Sequence, residues 1–165
     1  MSLHVRPARQ GDGAGIAGVW LSAAAYYADL DPGHFQRPQA DGLAEEWEGQ
    51  LGQDRGDSLR LVAEVAGRVV GWLSARIEMP EENAAVQLTR EQGWTLLAVD
   101  ALLVDDRCWR QGVGTALLDA AETWGRDRGA RVARLDTYAH SPVSVPFYEG
   151  RMGYQRRSIT FQKEL

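Results

Sequence analysis

The sequence predicts a mixed α/β fold, and three observations indicate it. A nearly continuous apolar run, typical of a strand buried on both faces, ends at Val104. From Thr115 apolar residues recur at helical spacing, and another strand-like stretch begins at Val132. A strand, a helix and a strand in this order imply parallel pairing through a right-handed crossover. Earlier in the chain, two strand-like runs flank a tight turn at Ala66 and Gly67, which predicts an antiparallel hairpin.

The amino-terminal part of the chain predicts one short strand and two helices. The strand covers residues 5–8. Asp12 is placed to cap a helix that runs to about Ala28, because apolar side chains then recur on one side. Two prolines and a glycine predict a loop over 29–39. A second helix begins at Asp41, with apolar residues at i, i+4 and i+8.

The rest of the chain predicts four further strands, two helices and one irregular connection. In order these are strands over 60–66 and 68–78, a polar connection over 79–93 with one helical turn, a strand from 94 to 104, a helix from near Gly112 to near Gly129, a strand over 132–137, a short helix that begins near Pro142, and a last strand over 156–165.

Composition predicts one globular domain over residues 1–165. The chain is 44% hydrophobic and 25% charged, enough apolar residues for a core. No apolar stretch reaches membrane-spanning length and the first residues do not resemble a signal peptide, so we expect a cytoplasmic protein without a membrane partner. One cysteine and three scattered histidines predict no metal site. The net charge of -5 argues against nonspecific nucleic-acid binding and suits a cationic partner.

The turn between the apolar strand and the following helix contains two glycines, Gly112 and Gly114. Backbone amides at a helix start lack partners within the helix, and glycine lets a bulky anion approach them, so this turn predicts a phosphate site. A Walker A loop is excluded because no lysine precedes Thr115. A dinucleotide fingerprint fits poorly because Leu117 stands in place of the third glycine. A turn that only caps the helix remains the alternative.

Two segments resemble motifs of the GNAT superfamily of N-acetyltransferases. Residues 109–114 are similar to its pyrophosphate loop, Arg/Gln-x-x-Gly-x-Gly/Ala, with both glycines in register and Trp109 in place of the first Arg or Gln. Residues 147–154 are similar to its Phe/Leu-Tyr-Glu-x-x-Gly-Phe segment. The order of predicted elements also resembles that family along nearly the whole chain.

The resemblance implies a mostly antiparallel sheet with a central parallel pair, splayed to admit acetyl-coenzyme A. It implies that the pyrophosphate is held by the loop and the pantetheine arm by the strand before it. Arg110 would supply the cation that is missing at position 109. Ser141 and Ser144 stand where the family often has Asn and Ala, and Ser141 would hydrogen-bond to the cofactor arm less fully than Asn. The implied cofactor-binding residues are Leu102, Leu103, Val104, Arg110, Gln111, Gly112, Val113, Gly114, Thr115, Ser141 and Ser144.

The resemblance also implies a direct transfer in which an amine attacks the thioester. Tyr148 would protonate the departing thiolate, since a phenol is protonated at neutral pH. For the base, Asp100 is the first candidate because it lies in the apolar strand, where burial raises the pKa of a carboxyl group. Glu78 is the second. The alternatives are a packing role for Tyr148, and for Asp100 a partner arginine or a place at the solvent edge.

The acceptor is expected beside the two amino-terminal helices, where aromatic and acidic residues cluster. These residues are Tyr26, Tyr27, Asp29, Asp31, His34 and Phe35. The partner is then an amine-bearing small molecule or peptide, and whether the chain is a homodimer stays open. Two other functions stay open as well: a noncatalytic module that binds acyl-coenzyme A, and a nucleotide-binding domain.

Overall fold

A computed structural model describes residues 2–53 and 56–165 of the chain. These residues fall into a larger unit that ends at Leu135 and a smaller unit from Asp136 to Leu165.

The larger unit contains five strands and three helices. They are β1 (Leu3–Pro7), α1 (Gly13–Leu30), α2 (Leu43–Leu51), β2 (Ser58–Val65), β3 (Arg68–Glu78), β4 (Leu96–Val104), α3 (Val113–Asp127) and β5 (Val132–Leu135). Short 3-10 helices lie at Ala84–Val86, Arg90–Gly93 and Asp106–Cys108. Every strand and helix predicted in this unit is confirmed, with ends that differ by a few residues.

The sheet has the order β1-β2-β3-β4-β5, antiparallel except for the parallel pair of β4 and β5. The hairpin between β2 and β3 turns at Ala66 and Gly67, with φ of 51° and 78°. Positive φ at both turn residues is the requirement of a type I′ turn, whose twist matches that of the strands. The predicted hairpin is therefore confirmed.

The parallel pair is short and lies at one edge of the sheet, whereas the sequence predicted a central pair. Pairing of β4 with β5 ends at Val99 and Leu135, and from there β4 continues to Val104 paired with β3 alone. Between these two segments Asp100 has no partner opposite it, since Ser74 pairs with Ala101 and Ala75 with Val99. Asp100 is thus the extra residue of a β-bulge, where the strand bends and twists more strongly.

One face of the sheet carries a core formed with α1 and α2, built around Ile16, Val19, Val62 and Trp72. Asp12 precedes α1, but its side chain does not cap the helix as predicted. Its carboxylate instead receives a bidentate pair of hydrogen bonds from Arg6, at 2.7 and 2.8 Å. The amides of Gly11 and Gly13 donate to the carboxylate of Glu48 in α2. A partner distant in sequence therefore satisfies the start of α1.

The other face of the sheet is covered by α3, which approaches it closely at two glycines. A Cβ atom at Gly71 in β3 would lie 2.8 Å from Val113 and 2.9 Å from Leu117, both in the first turns of α3. At the other end of α3, a Cβ atom at Gly125 would lie 3.1 Å from Leu97. These contacts fix the distance of α3, and of the loop before it, from β3 and β4.

The smaller unit contains a short helix, α4 (Ser144–Pro146), which continues as one π-helical turn at Phe147–Arg151. The predicted short helix is confirmed. The predicted last strand over 156–165 is wrong, because residues 155–165 have no regular secondary structure. A strand needs a neighbour to complete its hydrogen bonds, and the described residues of this unit contain no other strand. Ile159 and Phe161 are 79% and 89% exposed.

Replacement of Gly71 by alanine tests the close approach of α3. The added methyl group overlaps Val113 and Leu117, so we expect Gly71→Ala to lower the free energy of unfolding by about 1–3 kcal/mol. Gly18→Ala is the control, since its Cβ atom meets nothing within 4 Å on α1 and should be neutral or stabilising. Urea unfolding followed by circular dichroism measures both, and equal stability of Gly71→Ala and the parent contradicts the prediction.

The ion pair of Asp12 and Arg6 predicts a pH dependence of stability. The hydrogen bonds from Arg6 hold the pKa of Asp12 below its usual value, and outweigh the opposing effect of burial. When the pH lies above the usual pKa of a carboxyl group, a lowered pKa stabilises the folded state. This contribution is lost as the pH falls through the pKa of the folded state. Between about pH 5 and pH 3, stability should therefore fall more steeply for the parent than for Asp12→Asn. Asp119→Asn, on the exposed face of α3, should keep the slope of the parent.

Candidate functional site

The turn between β4 and α3 is fixed at its start by Asp105, which is buried. Its amide donates to the carbonyl of Val70 in β3 at 2.9 Å. Its carboxylate accepts three hydrogen bonds from Arg107, two from the guanidinium at 2.9 and 2.7 Å and one from the amide at 3.1 Å. These hydrogen bonds lower the pKa of Asp105, so it stays ionised at neutral pH. The turn is thereby tied to the sheet at its first residue.

Residues 110–115 present a continuous run of backbone amides. Arg110 and Gly112 have φ of 60° and 83°, in the left-handed region, and Gly112 is the residue before α3. Within the described part of the chain, none of the six amides donates a hydrogen bond to a protein acceptor. Amides in a turn of alternating backbone handedness, followed by a helix start, form a concave site with a positive potential. This geometry suits a phosphate or diphosphate.

The side chains of the turn differ in whether they are already bonded within the protein or can contact a ligand. Gln111 is occupied, since its amide group donates to the carbonyl of Arg107 at 3.0 Å. Arg110 is exposed and forms no ion pair with any residue that the structure describes. Trp109 is half-buried, and its indole N–H donates to the carbonyl of Val104 at 2.8 Å. The cation next to the amides is therefore Arg110.

The last residues of β4 lie directly before this turn. Leu102, Leu103 and Val104 are half-buried and belong to the segment that extends beyond the end of β5. In a sheet, the free edge of such a segment can pair with an extended ligand as it would with a strand. The structure thus brings together two predicted groups, Leu102–Val104 and Arg110–Thr115, in one continuous path.

Asp100 lies on the same strand but not in the predicted environment. Burial of its side chain was expected, and this expectation is wrong because the side chain is 42% exposed and forms an ion pair with Arg76. A bulge turns the residue out of the strand's regular alternation, which the sequence pattern does not reveal. The alternative of a partner arginine is the one that the structure supports.

Arg76 belongs to a chain of charges that crosses three strands. Glu78 at the end of β3 accepts a hydrogen bond from Arg76 at 2.7 Å and one from Arg134 in β5. Glu78, the second candidate base, is thus held by two arginines. It also lines a cavity of about 350 Å³ with Trp94, Glu91 and Arg134. The sequence analysis missed both arginines, although charged residues inside strand patterns were a signal available there.

The aromatic residues at the end of α1 are brought together as predicted. The ring of Tyr26 contacts that of Tyr27 at 5.2 Å, Tyr27 contacts Phe35 at 4.9 Å, and Phe35 contacts His34 at 4.7 Å. The acidic residues are used locally, because Asp29 pairs with Arg37 and Asp31 accepts from the amide of Gly33. Tyr26 also contacts the ring of Trp109 at 4.8 Å and 87°.

The smaller unit holds the three remaining predicted residues. The hydroxyl of Ser141 accepts from the amide of Ser144 at 3.0 Å, a local bond at the start of α4. Tyr148 lies in the π-helical turn, with its ring 5.2 Å from Phe147 and 5.9 Å from Tyr154. The amide of Tyr154 donates to the carbonyl of Tyr148 at 2.9 Å. Single π-helical turns occur frequently at functional sites, since they change the direction in which a side chain points.

Comparisons with known proteins identify the family of this chain. The model of the GNAT acetyltransferase family matches residues 20–154. A search of curated proteins found no match. None of the helices in 2–53 and 56–165 is long and apolar enough to cross a membrane.

Several solved structures share the fold at low sequence identity. A mutant of the BH1408 protein from Bacillus halodurans has a TM-score of 0.82 and 15% identity over 98% of this chain and 99% of that one. The aminoglycoside N-acetyltransferase AAC(6')-Iy in complex with CoA has a TM-score of 0.66 and 19% identity over 99% of this chain and 96% of that one. The aminoglycoside acetyltransferase meta-AAC0020 comes from an uncultured soil metagenomic sample, and its structure is in complex with sisomicin. It has a TM-score of 0.64 and 16% identity over 99% of this chain and 96% of that one.

The two predicted motifs and the element order led to the same family as the match, which covers most of the chain. The open amides between β4 and α3 lie within the matched residues. The chain therefore belongs to the GNAT family of acetyltransferases.

Proposed function

We propose that this protein is an acetyl-coenzyme A dependent N-acetyltransferase that acetylates a primary amine by direct attack. The observation that carries the proposal is the run of six amides at 110–115, which have no protein acceptor among the described residues. They follow β4, which extends beyond its last pair with the parallel strand β5. These amides would hold the diphosphate and Arg110 would add a cation. The free edge of Leu102–Val104 would pair with the amides of the pantetheine arm.

In the proposed reaction, the amine nitrogen attacks the thioester carbonyl carbon. The carbon–sulfur bond breaks, its electron pair goes to sulfur, and the Tyr148 hydroxyl gives a proton to the departing thiolate. The amine loses a proton, directly or through water, to the carboxylate of Asp100. This proton must return to the Tyr148 phenolate before the next turnover. The products are the acetylated amine and the free thiol of coenzyme A.

The environment of Asp100 supports a role as a proton acceptor of modest strength. Arg76 stabilises its ionised form, which is the form that can accept a proton. Its exposure gives access to an incoming ammonium, which a carboxylate also attracts. We propose that Asp100 both attracts the cationic acceptor and takes its proton.

The acceptor is proposed to be an amine-bearing small molecule or peptide. AAC(6')-Iy and meta-AAC0020 are aminoglycoside acetyltransferases, so aminoglycosides belong among the amines to test. The protein's net charge of -5 suits a cationic acceptor. We further propose that residues 1–165 act as one catalytic domain in the cytoplasm.

Thiol release from acetyl-coenzyme A tests the reaction. The acceptors are polyamines, aminoglycosides, amino acids and peptides with a free amino terminus. With an accepted amine, Tyr148→Phe should lower kcat about 10²- to 10⁴-fold and leave coenzyme A affinity unchanged, because only the proton donor is lost. Tyr154→Phe is the matched control, since it removes the neighbouring hydroxyl of the same unit and should keep kcat.

Three outcomes contradict the proposal. Coenzyme A binding without turnover on any amine supports a noncatalytic acyl-coenzyme A module. Binding of ATP or NAD that coenzyme A does not displace supports a nucleotide-binding domain. Full activity of Tyr148→Phe removes this residue from the proposed mechanism.

The contribution of the Arg110 side chain is separable from that of the amides. Arg110→Ala should weaken coenzyme A about 3- to 30-fold, because one charged contact to a phosphate is lost while the amides remain. The loss should shrink at high salt, since the contact is exposed to solvent. Titration calorimetry measures it, with Arg126→Ala at the far end of α3 as the control. Unchanged affinity of Arg110→Ala means that the amides bind the diphosphate without help.

A further inference from the structure

Trp109 occupies the position where the family motif has a cationic or amide side chain, and its own side chain is fully engaged within the protein. Its indole N–H donates to the carbonyl of Val104, the last residue of β4. Its ring packs edge to face against Tyr26 in α1, with centroids 4.8 Å apart. An indole has one donor and no acceptor, and that donor is already used. Trp109 therefore has no polar group left for a phosphate.

A second contact joins α1 to the same turn. The hydroxyl of Ser22 donates to the Asp106 carboxylate at 3.3 Å and accepts from the Asp106 amide at 3.2 Å. Ser22 and Tyr26 are four residues apart, so they lie on one side of α1 in successive turns. Asp106 is the first residue of the short 3-10 helix that follows β4, and Trp109 comes directly after this helix. The turn thus contacts α1 at two points.

The position of Trp109 determines where the open amides begin. Arg110, the next residue, has a left-handed backbone that is unfavourable for a residue with a Cβ atom. Such a conformation persists only where the surrounding structure holds it in place. The hydrogen bond to Val104 and the ring contact with Tyr26 hold the residue immediately before it. We expect that without these two contacts the backbone of Arg110 would relax and the amides after it would shift.

We infer that Trp109 is a positioning residue, which orders the diphosphate-binding amides by bracing the turn against Tyr26 of α1 and the end of β4. This inference rests on the proposed function, since it concerns the same cofactor. Ordering a site before its ligand arrives increases affinity because less entropy is lost on binding. In this inference Trp109 does not contact the phosphates itself. Its contacts with Val104 and Tyr26 hold in place the backbone amides that do.

The test compares coenzyme A with acetyl-pantetheine, which lacks the diphosphate. Trp109→Ala should weaken coenzyme A roughly tenfold or more, because a hydrogen bond and an aromatic contact are lost. The affinity for acetyl-pantetheine should not change. Trp109→Phe keeps a ring for Tyr26 but lacks the N–H, so it should recover part of the loss. Trp124→Phe, at a half-buried position of α3 away from the turn, is the control and should leave both affinities unchanged.

A double-mutant cycle separates the brace from a general loss of stability. Tyr26→Ala alone should weaken coenzyme A, and the pair of substitutions should weaken it little more than Trp109→Ala alone, because both remove one contact. Additive effects, equal losses with coenzyme A and acetyl-pantetheine, or normal affinity of Trp109→Ala for coenzyme A overturn the inference. If Trp109→Ala does not fold, Trp109→Phe and Tyr26→Ala give the same comparison. The parent protein's failure to bind coenzyme A would refute the proposed function instead.

Discussion

The unequal length of the two parallel strands is the constraint on which the rest of the site depends. Since β5 stops at Leu135, β4 extends five residues beyond the last parallel pair, and the polypeptide must still cross back through α3. The turn that begins this crossover therefore lies beside a free strand edge. A ligand with an extended arm and an anionic end matches both features at once.

Glycines and one buried carboxylate keep this arrangement in place. Gly71 and Gly125 allow α3 to lie against β3 and β4 without intervening side chains, and Asp105 ties the turn to Val70 and Arg107. The residues that contact the cofactor in the proposed mechanism are thus mostly backbone, and the side chains around them hold that backbone. This division explains how the family motif can lose its first polar residue in this chain and keep an open site.

The sequence predicted the elements that depend on local patterns. Apolar periodicity located the helices and the continuous strand, and Ala66-Gly67 located the hairpin turn. It failed where distant residues decide. Asp12 lies where a helix cap is expected, but it pairs with Arg6. Asp100 lies within an apolar stretch of sequence, but it is the extra residue of a bulge, and the pairing between strands determines where the bulge lies. The strand predicted over 156–165 did not form, and the described residues of the smaller unit offer no neighbouring strand to pair with it.

The carboxylate of Glu48 has a consequence for where anions can settle. The two longest helices of the larger unit, α1 and α3, both start with a glycine-containing turn, and each start carries a partial positive charge. At α1 that charge is already neutralised by Glu48, which accepts from the amides of Gly11 and Gly13. An anion therefore meets a carboxylate at the start of α1, whereas the start of α3 offers open amides beside Arg110. The start of α1 therefore does not compete with the proposed diphosphate site at α3, because a side chain of the protein already binds its amides.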